Sequence, residues 1–157
     1  MLKIDEKTKL ALMWITGILN KHKIPFQISG GFAAKLYGSP RPLNDIDFDI
    51  PKERFAEIVD EVKDYIVFGP AEYKDKKWDL YLITLNYHGQ EIDIGSSDVK
   101  IHDNETGTWL DFSSDLSKSI EMEIEGIKVS VIPKKDLIDY KKYLDGDHQK
   151  IDVDSLS

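Results

Sequence analysis

Cysteine is absent from the 157 residues. That rules out disulfides and thiolate metal sites and fits a reducing compartment. Positive charge is scarce: 21 Lys and Arg stand against 29 Asp and Glu, a formal net charge of −8. A protein that grips a polynucleotide backbone needs clustered Lys and Arg, so a polynucleotide partner is not expected. A small acceptor, if charged, would be cationic. No apolar run approaches the length of a bilayer span, and no membrane partner is expected. Lys3, Asp5, Glu6, Lys7 and Lys9 precede any apolar stretch, which is not the pattern of a secretory signal. The expected location is the cytoplasm. His22, His88, His102 and His148 lack zinc-ligand spacing. Internal repeats and low-complexity tracts are missing as well.

What is present suits one soluble domain, with 41% hydrophobic and 32% charged residues. It is read as a single unit over 1–157, with a core at about 24–132 and a C-terminal helical segment at 133–157. Ile15, Ile18 and Leu19 recur at helical spacing and predict a helix over about 5–22. Residues 26–29 read as a strand that ends at Gly30-Gly31 and leads into a short helix over 32–37. Asp45 to Ile50 alternates Asp with apolar residues, the period of a strand. A helix is expected over 51–64, with Pro51 at its start. Strands are expected at 65–68, 80–87 and 90–94, the last two joined by a tight turn at His88-Gly89. Residues 96–117 read as irregular, with Trp109, Leu110 and Phe112 tucked onto the core. A second hairpin spans 119–132. A helix from Pro133 to about Leu144 and a last one over 147–156 close the chain. The class is α+β: a mixed β-sheet with helices packed on it.

The chemistry concentrates in two stretches. In a strand, residues two apart share a face, so Asp45, Asp47 and Asp49 stand together. Like charges so placed repel, and Asp disfavours strands; a cation would resolve both. Hard carboxylate oxygens suit Mg²⁺, which also takes substrate phosphates as ligands. A strand running through Ser29-Gly30-Gly31 into a helix offers backbone N–H groups to an anion, and glycine permits close approach. A third acid would come from the strand Gln90-Glu91-Ile92-Asp93-Ile94, where Glu91 and Asp93 share a face and either could serve. Asp49, one pleat further on, reads as a supporting or surface acid.

Gly30-Gly31, then Asp45-Ile46-Asp47, then a later strand-borne acid resembles the DNA polymerase β-like nucleotidyltransferase superfamily. Arg41, four residues before the first Asp, matches its small members. Leu137, Ile138 and Lys141 resemble the helix that follows their sheet. The tail beyond it, usually Arg-x-Lys-Asp-x-x-Asp, is met here by Lys150 and Asp154, with His148 and Ile151 departing from it. The likeness is to small lincosamide and aminoglycoside nucleotidyltransferases and to abortive-infection-type proteins. It implies the polymerase β-like fold with C-terminal helices. It implies that Asp45, Asp47 and Asp93 are the catalytic and metal-binding acids, with Mg²⁺ as cofactor. Ser29, Gly30, Gly31, Arg41 and Lys141 would bind the nucleotide, and Tyr37 stands near enough in sequence to line its pocket. The implied activity moves a nucleoside monophosphate from an NTP, expected to be ATP, to a hydroxyl of a small acceptor, releasing pyrophosphate. Alternatives are a toxin- or antitoxin-type enzyme acting on protein or tRNA, and a degenerate nucleotide-binding member. A homodimer is compatible with all three.

Overall fold

The computed structural model describes residues 2–157. Helix α1 (Glu6–Lys21) begins at Asp5, whose side chain accepts from the Thr8 N–H at 2.8 Å and so satisfies an orphan donor of the first turn. Leu12, Ile15 and Leu19 are its fully buried stripe. Strand β1 (Gln27–Ser29) runs directly into α2 (Gly30–Leu36), and β2 (Asp45–Ile50) follows a loop.

The sheet has nine strands: β1, β2, β3 (Ile66–Lys74), β4 (Trp78–Tyr87), β5 (Gln90–Ser96), β6 (Lys100–Asp103), β7 (Thr108–Asp111), β8 (Ile120–Ile124) and β9 (Ile127–Val131). Their order is β7-β6-β4-β5-β2-β1-β9-β8, with β3 also pairing β4. β1 and β2 are antiparallel, while β2 and β5 are parallel, with Asp47 opposite Asp93. The parallel register of β2 and β5 brings the two acidic strands side by side. Ile46, Phe48, Ile50, Ile92 and Ile94 alternate with the acids and are buried on the other face. Burying such side chains contributes about 1.5–3 kcal/mol each, so a one-residue slip that turned the acids inward is strongly disfavoured.

Helix α4 (Lys134–Lys141) and helix α5 (Asp147–Leu156) pack on each other and on α2. They close the acidic side of the sheet. No helix among the described residues is long and apolar enough to cross a membrane.

Three readings from sequence differ from the structure. The helix expected over 51–64 is broken into a 3₁₀ segment (Lys52–Glu57), a single turn α3 (Val59–Val62) and another 3₁₀ turn (Lys63–Tyr65). Phe55, Ile58 and Val62 are buried there, at spacings of three and four that a 3₁₀-rich path also satisfies. Residues 96–117 contain the hairpin β6–β7. Its Trp109 lies under Lys74 and beside His102 rather than on the core, and Phe112 packs on Tyr143. Helix α4 ends at Lys141, three residues before the expected end.

Candidate active site

Asp45, Asp47 and Asp93 each offer a carboxylate oxygen, and these oxygens all lie within 4.8 Å of one another. Two come from β2 and one from the adjacent parallel strand. Burial raises the Asp47 carboxyl well above the ordinary value, and Asp45, Asp93 and Asp49 raise it further while Lys141 opposes them. Burial also pushes Asp93 up to about 7, with Asp45 and Glu91 adding to it and the hydroxyl of Thr84 working against it. Thr84 donates to Asp93 Oδ1 at 2.7 Å. Held this close to Asp45 and to each other, the Asp47 and Asp93 carboxyls favour their protonated forms, because nothing on the chain neutralises the cluster fully. Hard oxygen donors with unbalanced negative charge fit a divalent cation such as Mg²⁺.

Glu91 shares the face of Asp93 but is exposed and lies opposite Asp45 at the strand's start, outside the cavity. Asp49 is half-buried beside the acids, accepting from Gln27 Nε2 at 2.8 Å and from Ser29 Oγ at 3.3 Å. Burial raises it to about 6, against those two donors.

The glycines make room for side chains. Gly30 has φ +62, and a Cβ there would stand 2.0 Å from Asp47 Oδ2. A Cβ on Gly31 would stand 3.0 Å from Arg41 Nη2. The Gly30 N–H donates to the Tyr140 hydroxyl at 2.7 Å. Burial, followed by the fields of Asp49 and Asp47, raises the Tyr140 phenol well above its usual value. Part of the expected backbone cradle is therefore covered by a side chain of α4, and the Ser29 hydroxyl is committed to Asp49.

These groups line a cavity of about 440 Å³. Arg41 and Lys141 are the two Lys or Arg residues among its lining, against Asp45, Asp47, Asp49 and Asp93. Both cations also bind Asp152, which is fully buried on α5. Burial would raise the Asp152 carboxyl, but donors from Arg41, Ser39 and Lys141 hold it down at about 2. Tyr37 is elsewhere: it donates to the Ile132 carbonyl at 2.7 Å and does not line the cavity. Tyr73, Trp78, Leu80 and Leu82 form an apolar wall from β3 and β4.

Sequence reasoning missed Asp152. It matched the tail through Lys150 and Asp154, yet both are exposed, as is Ile151. The residue four before the buried Leu156 is Asp152, so helical spacing from the last apolar residue was the available signal. A second hollow of about 330 Å³ shares Ser29, Asp49, Trp78, Leu80 and Tyr140 with the first. Its rim carries Asp111, Asp115, Asp136 and Asp139 against Lys118.

Among solved structures, a Thermotoga maritima protein described as a nucleotidyltransferase has a TM-score of 0.74 and 24% identity, covering 89% of this chain and 86% of that one. Lincomycin-bound LnuA, a lincosamide antibiotic adenylyltransferase, has a TM-score of 0.62 and 15% identity, covering 99% and 98%. The antibiotic-resistance factor ANT(2'')-Ia in solution has a TM-score of 0.62 and 18% identity, covering 97% and 84%. These identities establish a shared fold. No curated protein matches the sequence at a significant level. The family model described as aminoglycoside-2''-adenylyltransferase matches residues 11–156. The chain belongs to that family, and with it to the polymerase β-like nucleotidyltransferases.

Proposed function

We propose that this protein transfers a nucleoside monophosphate from an NTP, with ATP as donor, to a hydroxyl of a small acceptor and releases pyrophosphate. The observation that carries the reading is the acid cluster: carboxylate oxygens of Asp45, Asp47 and Asp93 within 4.8 Å of one another, in a cavity whose two Lys or Arg residues are Arg41 and Lys141. Asp45, Asp47 and Asp93 would hold Mg²⁺. Bound there, Mg²⁺ would neutralise phosphate charge and favour ionisation of the acceptor hydroxyl.

In the reaction the acceptor oxygen bonds to the α-phosphorus, and the bond from that phosphorus to the bridging oxygen breaks. Pyrophosphate leaves with the electron pair. The hydroxyl proton passes to Asp93, whose orientation is held by Thr84. Arg41 and Lys141 face the charge that develops on the leaving group, where donors already in place lower the barrier. Gly30 and Gly31 leave the space in which Asp47 and Arg41 stand. Ser29 keeps Asp49 oriented beside the cluster. The adjoining hollow, with four acids on its rim, suits an acceptor that carries amino groups as well as hydroxyls.

The test uses the purified chain with α-labelled NTPs, Mg²⁺ and a panel of hydroxylated amines. Label should move to an acceptor with one pyrophosphate released per transfer, and Asp45→Ala and Asp47→Ala should abolish it. Transfer that is indifferent to both substitutions overturns the reading.

A further inference from the structure

The C-terminal helix reaches the candidate site through one buried side chain. Asp152 Oδ1 accepts from Ser39 Oγ at 2.6 Å and from Arg41 Nε at 2.8 Å. Its Oδ2 accepts from Arg41 Nη2 at 2.5 Å and from Lys141 Nζ at 3.0 Å. One carboxylate thus joins the two cations of the cavity to a serine at the end of the α2 turn. It holds Arg41 by the two-pronged geometry that only a guanidinium allows.

Arg41 lies in a loop between α2 and β2. Left to itself, a side chain with so many rotatable bonds would sample many positions, and fixing it costs rotamer entropy. Held by Asp152, its Nη2 lies against Gly31 at the turn that faces Asp47. Its Nη1 makes no hydrogen bond among the described residues. Lys141 spends one N–H on Asp152 and one on Gln149 Oε1 at 2.6 Å, which leaves a third donor. Each cation therefore keeps donors for an anion in the cavity while Asp152 fixes where they point. The charge count agrees: two cations less one carboxylate leaves one net positive charge beside the acids.

We infer that Asp152 is a positioning residue of the nucleotide site, holding Arg41 and Lys141 for the polyphosphate of the NTP, and that α5 is thereby part of that site. The inference rests on the nucleotidyl-transfer reading. It adds a residue that touches no substrate and acts through the two that would. It also makes docking of α5 and binding of polyphosphate mutually dependent, since each favours the same arrangement of Arg41 and Lys141.

The experiment measures binding of Mg·pyrophosphate and Mg·ATP by calorimetry, with thermal unfolding as a control on folding. Asp152→Asn keeps the volume, removes the charge and turns an amide toward a cation. It should weaken pyrophosphate binding roughly tenfold or more, as expected for lost charge-assisted hydrogen bonds. In an Arg41→Ala/Lys141→Met background, Asp152→Asn should cost no further affinity, because its effect passes through those two side chains. A merely structural Asp152 would weaken binding in both backgrounds. Ser39→Ala, which spares every charge, is the second variant and should lower affinity roughly threefold while remaining folded. Wild-type affinity in both Asp152→Asn and Ser39→Ala overturns the inference alone. A wild-type protein that binds neither probe overturns the transfer reading and this inference with it.

Discussion

Gly30 and Asp47 occupy the same space from two directions: a Cβ added to Gly30 would come within 2.0 Å of Asp47 Oδ2. Gly30 is also left-handed, at φ +62. Gly30→Ala should therefore fail twice. The backbone conformation alone costs about 1–2 kcal/mol for a residue with a side chain. The remaining clash must be relieved by moving Asp47 away from Asp45 and Asp93. Thermal unfolding should show the first loss, and Mn²⁺ binding followed by its paramagnetic signal should show the second. Metal binding at wild-type affinity in folded Gly30→Ala would show that the Asp47 position is not set by this contact.

Asp47→Asn should separate stability from function. In the metal-free protein the Asp47 carboxyl is held well above its usual range, first by burial and then by Asp45, Asp93 and Asp49. Its charged form is thus a destabilising element at neutral pH. The amide removes that charge, so melting in EDTA should occur at a higher temperature than for wild type. Transfer activity should fall by at least about two orders of magnitude, the scale set by removing one preorganised charge-stabilising group. The shift in melting temperature that Mg²⁺ with ATP gives the wild type should also vanish. A variant that is both less stable and fully active would contradict the cluster's proposed role.

The legible part of this molecule was the part with strict spacing. Alternation over Asp45–Ile50 is hard to satisfy except as a strand with its acids on one face, and β2 is that strand. The break between Lys52 and Tyr65 was not legible, because buried Phe55, Ile58 and Val62 fit either an α-helix or a 3₁₀-rich path. Asp152 was hidden for a different reason. An acid at zero exposure is sustained only by partners, and those partners, Ser39, Arg41 and Lys141, are at least eleven positions away and reach it only after folding. The Gly30-Gly31 pair was read as room for a phosphate. The structure shows a more local requirement, room for Asp47 and Arg41.

The pH dependence of metal-free stability follows from opposed shifts. Asp93, at about 7, and Asp49, at about 6, both lie above the ordinary aspartate value of 3.8. Both are raised first by burial, and over the window between those values the folded chain holds protons that the unfolded chain has released. Stability must therefore fall as pH rises from about 4 through about 7. Asp152, held at about 2, has the opposite sign. Its contribution, roughly 2 kcal/mol, is complete above the unfolded pKa and is lost as pH falls from about 4 toward 2. Melting in EDTA should accordingly be highest near pH 4–5, at about the point where the two trends meet. Saturating Mg²⁺ should move that maximum toward neutrality by binding the ionised cluster. A metal-free melting temperature that climbs steadily from pH 5 to pH 8 would contradict the assignment; that range lies at and above the crossover of about pH 4–5.

Thr84 offers the most conservative probe of the cluster, since it touches the acids without belonging to them. Its hydroxyl donates to Asp93 Oδ1 at 2.7 Å from the neighbouring antiparallel strand, where the two residues are direct partners. That bond lowers the Asp93 carboxyl against burial and against Asp45, and it selects one carboxylate orientation. Thr84→Val keeps the shape and the β-branching that suits a strand, so the sheet should stay intact and unfolding should change little. Without the donor, Asp93 should take up its proton at still higher pH and swing more freely. Loss of such a supporting partner typically costs 10–100-fold in metal affinity or activity. Titration with Mn²⁺ should show that loss in Thr84→Val and near-recovery in Thr84→Ser, which restores the hydroxyl without the methyl. Equal affinity in all three proteins would mean that Asp93 is oriented by the backbone of β5 alone.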